Sequence, residues 1–478
     1  MRICLLTEGS YPYARGDVSA WVQGFMEGLP EHEFIIYFIG AEAKKRGQFQ
    51  YELPGNCVGV QEEFLEDILG LKSKGMKEKI LTSSEKESLY DLVEGDRNIP
   101  FSELLEIFYY GREKHTPMDL FMSSDFFDII QRVYEEKYPY LPFSDFYWMQ
   151  RSMLLPLFYL LQQELPEADI YHSVSTGYCG IIGGMASAAY RKPFMITEHS
   201  IYPREREAEI MKSDWAKGDF KSVWIQYFYN LARLAYHSAD HVYALFGHHA
   251  EIERELGCEP KKISVVPNGI HLENYAGIPE IQEHDGPISV GAPVQVVPSK
   301  DIVTLLRAFF LMKQEIGDAR LYIIEQYEAD PAYYELCQKT IRMLGVSDVF
   351  FTGTMDRAAY LDYLARMDFF VLSSIQEGQP LAMLEGLAAR RPFVATDVGC
   401  CRELLCGDAQ DMLGEAGFMA APMDFEKMAE EMIRLAKDFH LRRRMGGIGY
   451  ERVKNLYAFE RFIENYRVIY EQEGKVQR

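Results

Sequence analysis

With 478 residues, 48% of them hydrophobic and 26% charged, the chain has an ordinary globular composition and is too long for one hydrophobic core, so two domains are expected. The 50 Lys and Arg against 72 Asp and Glu leave a formal charge of −22, which argues against nucleic acid or an anionic membrane surface as a general partner; an anionic ligand must meet a local positive site. The start MRICLLTEGSYPY lacks a basic region followed by a long apolar run, and the longest apolar stretch, MLLPLFYLL (Met153 to Leu161), is about half a membrane span, so a cytoplasmic protein without direct membrane insertion is expected.

In chain order, short apolar runs alternate with longer helical text. RICLLTE, EFIIYFIG, DIYHSV, PFMITEH, HVYALF and ISVVPNG come first, then ARLYIIE, VFFTG, DFFVLSS and PFVATDV. β-Branched and aromatic runs of this kind, bounded by Gly, Pro or polar residues, predict parallel sheets built from βαβ units, twice over: an α/β protein of two doubly wound, Rossmann-like domains. Between about Gly70 and Gln150 the strand signals vanish, and text such as SSDFFDIIQRVYEEKYPYLPFSDFYW reads as a helical insertion in the first domain. Helical spacing makes FYWMQRSMLLPLFYLL core rather than a platform for an acceptor. Gly, Pro and charge cluster without periodicity in YAGIPEIQEHDGPIS, Tyr275 to Ser289, so residues 1–278 are expected to form one domain and 287–455 the other. The tail FERFIENYRVIYEQE carries Phe462, Tyr466, Ile469 and Tyr470 on one helical face, and residues 456–478 are expected to pack back on the first domain. The eight cysteines include no Cys-x-x-Cys, and the adjacent Cys400 and Cys401 suit neither a zinc site nor an ordinary disulfide.

In open α/β sheets ligands sit outside the carboxyl ends of the strands, and two such domains facing one another create a cleft there. SSIQEGQPLAMLEGLAARRPFVATDVG, Ser373 to Gly399, puts Glu377 just before a proline suited to the first position of a helix and Glu385 five residues beyond it. Unpaired N–H groups at such a helix start favour an anion, and Glu385 is displaced about 7 Å along the axis from Pro380. A carboxylate can accept two hydroxyls at once, so Glu385 suits a ribose and Glu377 a sugar, with phosphates between. On these residues alone, a capping Glu377 and a solvated Glu385 are the commoner outcome. As a loop carboxylate, Glu377 is expected to contribute little to packing.

SSIQEGQPLAMLEGLAARRPFVATDVGCCRELL, with Glu-Gly-x-Pro and a second Glu eight positions after the first, resembles the sugar-nucleotide motif of retaining GT-B glycosyltransferases of group 1. TEHSIYPRERE, SADHVYALFGHHAEIERELG, ISVVPNGI and VVPSKDIVTLLRAF extend the likeness. The opening LLTEGSYPYARGDVSAWVQGFMEGLPEHEFIIYFIG is similar to that of the cytosolic glycosyltransferases of Pel exopolysaccharide synthesis. The resemblance covers nearly the whole chain and is weakest over the insertion. It implies two facing Rossmann-like domains and a UDP-sugar donor, UDP-glucose in many members. Transfer to a carbohydrate acceptor would keep the anomeric configuration and need neither metal nor cofactor. The product would be a biofilm polymer, with membrane-bound Pel-type synthase components as partners.

Carried onto this sequence, the resemblance makes His199, Lys300 and Glu377 catalytic: Glu377 on the donor sugar's hydroxyls, Lys300 on the diphosphate, His199 at the sugar and reaction centre. It puts Glu385 on the ribose and adds Gly16, Asp17, Arg204, Gln295, Thr354, Gly378, Gln379, Pro380 and Leu381 to the donor-binding set. Taken singly, a histidine after a strand is more often packed or capping, and a lysine is mostly solvated; only the surrounding motifs single these out.

Three positions depart from that family. YARGDVSAW has Asp17 where a second glycine lets backbone approach the diphosphate; VQVVPSK has Gln295 where a phosphate-binding arginine is expected; YIIEQYEAD has Glu325 and Gln326 where Gly-Pro normally ends the strand. The changes to Asp17, Gln295 and Glu325 each make the site more negative by one charge. A unit pair about 4 Å apart is worth about 4 kcal/mol at an effective dielectric of about 20, so losing one cation weakens a nucleotide complex by orders of magnitude unless Arg15, Arg204 or Arg402 compensates. Two function classes follow: an active retaining hexosyltransferase, or a non-catalytic relative serving as a binding or assembly subunit of a polysaccharide synthase or partner transferase. Fold does not choose between them. A nucleotide-sugar epimerase of the same fold suits the paired glutamates and the N-terminal text less well.

Overall fold

The computed structural model describes residues 1–75, 79–95, 97, 99–324, 329–407 and 411–475. Glu325 and Gln326 lie outside the described residues.

The first sheet holds β1 (Arg2–Glu8), β2 (Glu33–Gly40), β3 (Cys57–Phe64), β4 (Ile170–Ser173), β5 (Phe194–Glu198), β6 (His241–Ala244) and β7 (Ile263–Val265), in the order β3-β2-β1-β4-β5-β6-β7. The second holds β8 (Ile288–Ala292), β9 (Ala319–Ile323), β10 (Val349–Phe351), β11 (Phe369–Leu372), β12 (Phe393–Thr396) and β13 (Gly417–Ala420), in the order β10-β9-β8-β11-β12-β13. Their pairings are parallel. Central strands such as β5 and β11 are buried at every position, which is why their sequences are continuous apolar runs rather than alternating ones. Both orders reverse once, between β1 and β4 and between β8 and β11, and ligands of open α/β sheets bind at the carboxyl ends flanking such a reversal.

The chain forms two compact units. The first comprises residues 1–245, 249–265 and 465–478, the second 246–248 and 266–464. Residues 266–278, expected with the first domain, belong to the second. Tyr275 donates its hydroxyl to Glu385 at 2.6 Å, and Ile270 exchanges backbone hydrogen bonds with Tyr457 and Phe459 at 2.9 and 3.0 Å. Gly and Pro mark irregular backbone, and here that backbone is packed rather than a linker. The tail is split as well: residues 456–464 group with the second unit and only 465–478 with the first. Within the first unit, Tyr470 OH lies 2.6 Å from His172 Nδ1, Tyr466 OH lies 2.6 Å from Thr197 Oγ1, and His172 Nε2 closes the chain to Thr197 Oγ1 at 2.8 Å. The apolar face of the tail thus carries its own buried hydrogen bonds.

The insertion is helical, with its longest helices at Ser83–Glu94, Ser124–Lys137 and Phe143–Leu161. Phe146, Met153, Leu154, Leu157 and Phe158 of the last are buried, and Phe158 stacks on Phe121 with ring centroids 5.1 Å apart. That stretch is core, although Trp148 projects outward, 56% exposed.

Candidate functional site

In the second unit, β8 and β11 are neighbours, so the segments leaving their carboxyl ends are delivered side by side. Ile375 N–H donates to the Ser299 carbonyl and the Ser373 hydroxyl to the Lys300 carbonyl, both at 2.8 Å. This tie sets Lys300 Nζ 2.5 Å from Glu377 Oε1, which also accepts the Ser374 hydroxyl at 2.5 Å. The Glu377 side chain is 8% exposed and that of Lys300 25%. The expectation that Glu377 contributes little to packing is therefore corrected: it is a sequestered ion-pair partner, and removing either member leaves a charge in poor solvent. Nor does it cap the helix Leu381–Ala388, whose start has no side-chain cap. Gly399 closes over the loop from the far side. Its φ is +55°, and a Cβ there would stand 2.4 Å from the Glu377 carbonyl oxygen, so only glycine fits.

Pro380 is the N-cap of that helix, not its first residue; with ψ at 105° it stays extended, and Leu381 begins the turn. Gly378 and Gln379 lie in the loop ahead. Gln379 Oε1 accepts the Asn268 N–H at 2.9 Å, while its buried Nε2 has no partner. Met383 and Leu384 N–H already donate to the Pro380 carbonyl, at 3.0 and 3.4 Å, so the uncapped N–H groups of Leu381 and Ala382 are the local donors for an anion.

Glu385, about one turn into the helix from Leu381, is not solvated. Its Oε1 accepts Tyr275 OH at 2.6 Å and Arg357 Nη1 at 2.8 Å, and its Oε2 accepts Tyr360 OH at 2.7 Å. Arg357 Nη2 also donates to Tyr275 OH at 2.6 Å. Burial and the adjacent Glu385 carboxylate push both tyrosine hydroxyls above their ordinary range, and Arg357 stays charged although burial opposes it. Sequence reading missed these three partners. Arg357 and Tyr360 stand three apart just after the N-cap Asp356, and helical spacing of that kind places both on one face. Tyr275 falls in the stretch whose composition predicts an interdomain break.

Of the expected set, Gln295 and Thr354 are exposed. Arg402 is held by Asp397, with Nε 3.0 Å from Oδ1.

In the first unit, His199 follows β5. Its ring meets Trp21 edge-on at 4.6 Å, and its buried Nε2 has no hydrogen-bond partner. Burial, with His249 nearby, pulls its pKa down to about 3, so it is a neutral imidazole at ordinary pH. Gly16 is the N-cap and Asp17 the first residue of the helix Asp17–Gly28, where a carboxylate complements the helix dipole. Arg204 is 3.5 Å from Glu255, and both are exposed. Beneath His199, Glu198 is fully buried and accepts the Thr176 hydroxyl at 2.9 Å and the Tyr202 N–H at 3.1 Å. Glu253 is fully buried too, with neither carboxylate oxygen hydrogen-bonded.

Among the described residues, the one group spaced to share a cation is His271, Glu273 and Glu460, all exposed. None of the loop carboxylates around Lys300 belongs to it. The chemistry legible in the second unit is thus an uncapped helix start beside a lysine, flanked by two carboxylates, which suits an anion carrying hydroxyls on either side.

Residues 1–261 match the family described as a domain of unknown function, DUF3492, and residues 288–438 match glycosyl transferases group 1. An α-(1→4)-mannosyltransferase of Mycolicibacterium hassiacum is 22% identical over 284 residues, 59% of this chain and 65% of the relative, so the chain spans slightly less than two thirds of that enzyme. Two solved structures align over 99% of the chain with a TM-score of 0.61. They are sucrose-phosphate synthase from Thermosynechococcus elongatus (15% identical, 98% of that chain) and Anabaena HepE in complex with UDP (12% identical, 100% of that chain).

Proposed function

The chain belongs to the DUF3492 family, has the GT-B fold and carries a group 1 glycosyl transferase domain, and on that premise we propose that it is a retaining hexosyltransferase. It takes a hexose from a UDP-sugar, UDP-glucose foremost, and passes it to a growing exopolysaccharide of the Pel type on the cytoplasmic side of a membrane-bound synthase. The observation that carries this reading is the joint placement of Lys300, Glu377 and the uncapped start of Leu381–Ala388, with Glu385 further along the same helix.

In this reading the diphosphate lies at the helix start and takes Lys300 as its counter-ion. The dipole and Nζ then stabilise the negative charge that grows on the phosphate as the anomeric C–O bond breaks. Glu377, released from Lys300, orients the sugar's hydroxyls, and Glu385 takes the ribose diol in exchange for a tyrosine hydroxyl. Retention requires the new bond to form on the face the phosphate leaves, so the acceptor's proton passes to the departing phosphate oxygen. In the first unit, His199 offers a neutral imidazole with an unpartnered Nε2. No metal is needed.

A second reading, a non-catalytic binding or assembly subunit, is favoured by one feature: the arginine expected at Gln295 is absent, and Arg402 is taken by Asp397. Incubation with UDP-glucose and an oligosaccharide mixture, followed by measurement of UDP release and product anomers, separates the two. UDP release abolished by Glu377→Ala supports transfer. UDP binding without release from any UDP-hexose supports the subunit.

A further inference from the structure

A concave site also lies in the second unit, on other residues. A cavity of about 370 Å³ is lined by Glu280, Ile281, Arg390, His440, Arg443, Arg444 and Gly447. Three guanidinium groups and an imidazole thus face one carboxylate, in a chain whose formal charge is −22.

The local sequence explains how they converge. His440, Arg443, Arg444 and Gly447 recur at i, i+3, i+4 and i+7 along the helix Phe439–Leu456 and so share one face. Gly447 leaves that face open, since a Cβ there would meet nothing within 4 Å. Arg390 comes from the turn after Leu381–Ala388; its φ is +58° and its guanidinium lies 3.7 Å over the Tyr450 ring. Gly446 lets the two segments touch, because a Cβ would be 2.1 Å from the Arg390 carbonyl oxygen.

The helix start is already capped, Asp438 Oδ1 accepting the Leu441 N–H at 2.8 Å, so each cation that follows needs a partner elsewhere. Arg442 has one: its Nη1 donates to the Leu435 and Ala436 carbonyls at 2.7 and 2.8 Å. Arg443 has one in Glu280, 2.9 Å away. Among the described residues no carboxylate pairs with Arg390 or Arg444.

We propose that this pocket binds a small phosphorylated molecule, its phosphomonoester held by Arg390, Arg444 and His440. Planar guanidinium forks match phosphate oxygens in pairs, and Arg390 and Arg444 are not taken by a carboxylate of the described residues. The volume leaves room for a sugar-sized body beyond the phosphate. The source is either a free metabolite or a lipid headgroup.

Titration calorimetry of inorganic phosphate and a hexose 6-phosphate into the full chain tests this, using wild type, Arg444→Ala, Arg390→Gln and Lys300→Ala. Saturable binding weakened about tenfold by each arginine change and kept in Lys300→Ala is expected, a tenfold loss being about 1.4 kcal/mol. Arg444 is exposed, so its variant should melt with wild type and report binding alone. Co-sedimentation with phosphatidate vesicles assigns the source: pelleting lost in Arg444→Ala identifies a headgroup, and hexose 6-phosphate binding without pelleting a metabolite. Absence of saturable binding, or binding lost in Lys300→Ala but intact in Arg444→Ala, overturns the proposal.

Discussion

Lys300 Nζ lies 2.5 Å from Glu377 Oε1, so the cation assigned to a diphosphate and the carboxylate assigned to a sugar hold one another. The two roles are therefore energetically coupled. With both side chains largely sequestered, Lys300→Ala and Glu377→Ala should each cost about 1–3 kcal/mol, and the double variant less than their sum, because the second removal no longer strands a charge. Denaturant unfolding of the four proteins gives the coupling. Additive losses would show that the pair is incidental.

Glu385 should be the residue whose loss costs both stability and nucleotide. Glu385→Ala strands the hydroxyls of buried Tyr275 and part-buried Tyr360, which costs about 1–3 kcal/mol, and frees Arg357, whose side chain is 47% exposed. It should also weaken UDP at least about tenfold, the worth of a charge-assisted contact. Tyr360→Phe frees Oε2 while Tyr275 and Arg357 keep the carboxylate aimed, so UDP should bind as well as to wild type or better. A Tyr360→Phe protein that binds UDP as poorly as Glu385→Ala would assign the recognition to the tyrosine instead.

The buried titratable groups of the first unit predict a stability maximum bounded on both sides. His172 and His199 have pKa values pulled down to about 3 by burial, against an ordinary value of about 6.5. Between those values the unfolded chain binds protons that the fold does not. Stability therefore rises with pH there, by up to about 1.4 kcal/mol per group and pH unit. Glu198 and Glu253 behave oppositely. Burial raises both, and Glu198 further raises Glu253, so above the ordinary carboxylate range the fold keeps protons that the unfolded chain releases, and stability falls as pH rises. Glu253→Gln should accordingly melt higher than wild type at about pH 8 and close to it at about pH 4. An equal offset at both would remove the titration from the explanation.

How far the sequence could be read depended on whether a signal was local. Strands such as β1, β5 and β11 were legible because a doubly covered parallel strand must be a continuous apolar run. β3 is hard to read because CVGVQEEF is a half-exposed edge strand with a polar end, and β8 because ISVGA begins within the Gly- and Pro-rich stretch that ends at Ser289. At the site, motif text located Lys300, Glu377 and Glu385 but not what they hold. Tyr275 and Glu385 are 110 residues apart, and only the folded second unit brings them together.

The departures Asp17 and Gln295 can be tested by reversal. Gln295→Arg restores a cation expected to strengthen UDP binding by at least about tenfold if it reaches the diphosphate. Asp17→Gly removes a side chain and a negative charge at a cost of about 1 kcal/mol of helix stability, through propensity and dipole, so it should melt lower whatever it does to binding. The double variant should bind UDP most tightly, each single change recovering part. Tight wild-type binding lost on Gln295→Arg would mean that the site is built around another arrangement.

The central claim is that the second unit binds a uridine diphosphate donor through Lys300 and Glu385, and isothermal titration of UDP into wild type, Lys300→Ala, Glu385→Ala and Arg444→Ala tests it most directly. The account predicts one saturable site in wild type, at least about tenfold weaker in Lys300→Ala and in Glu385→Ala, and unchanged in Arg444→Ala. Wild-type protein that takes up no UDP, or binds it equally in all four, would contradict it.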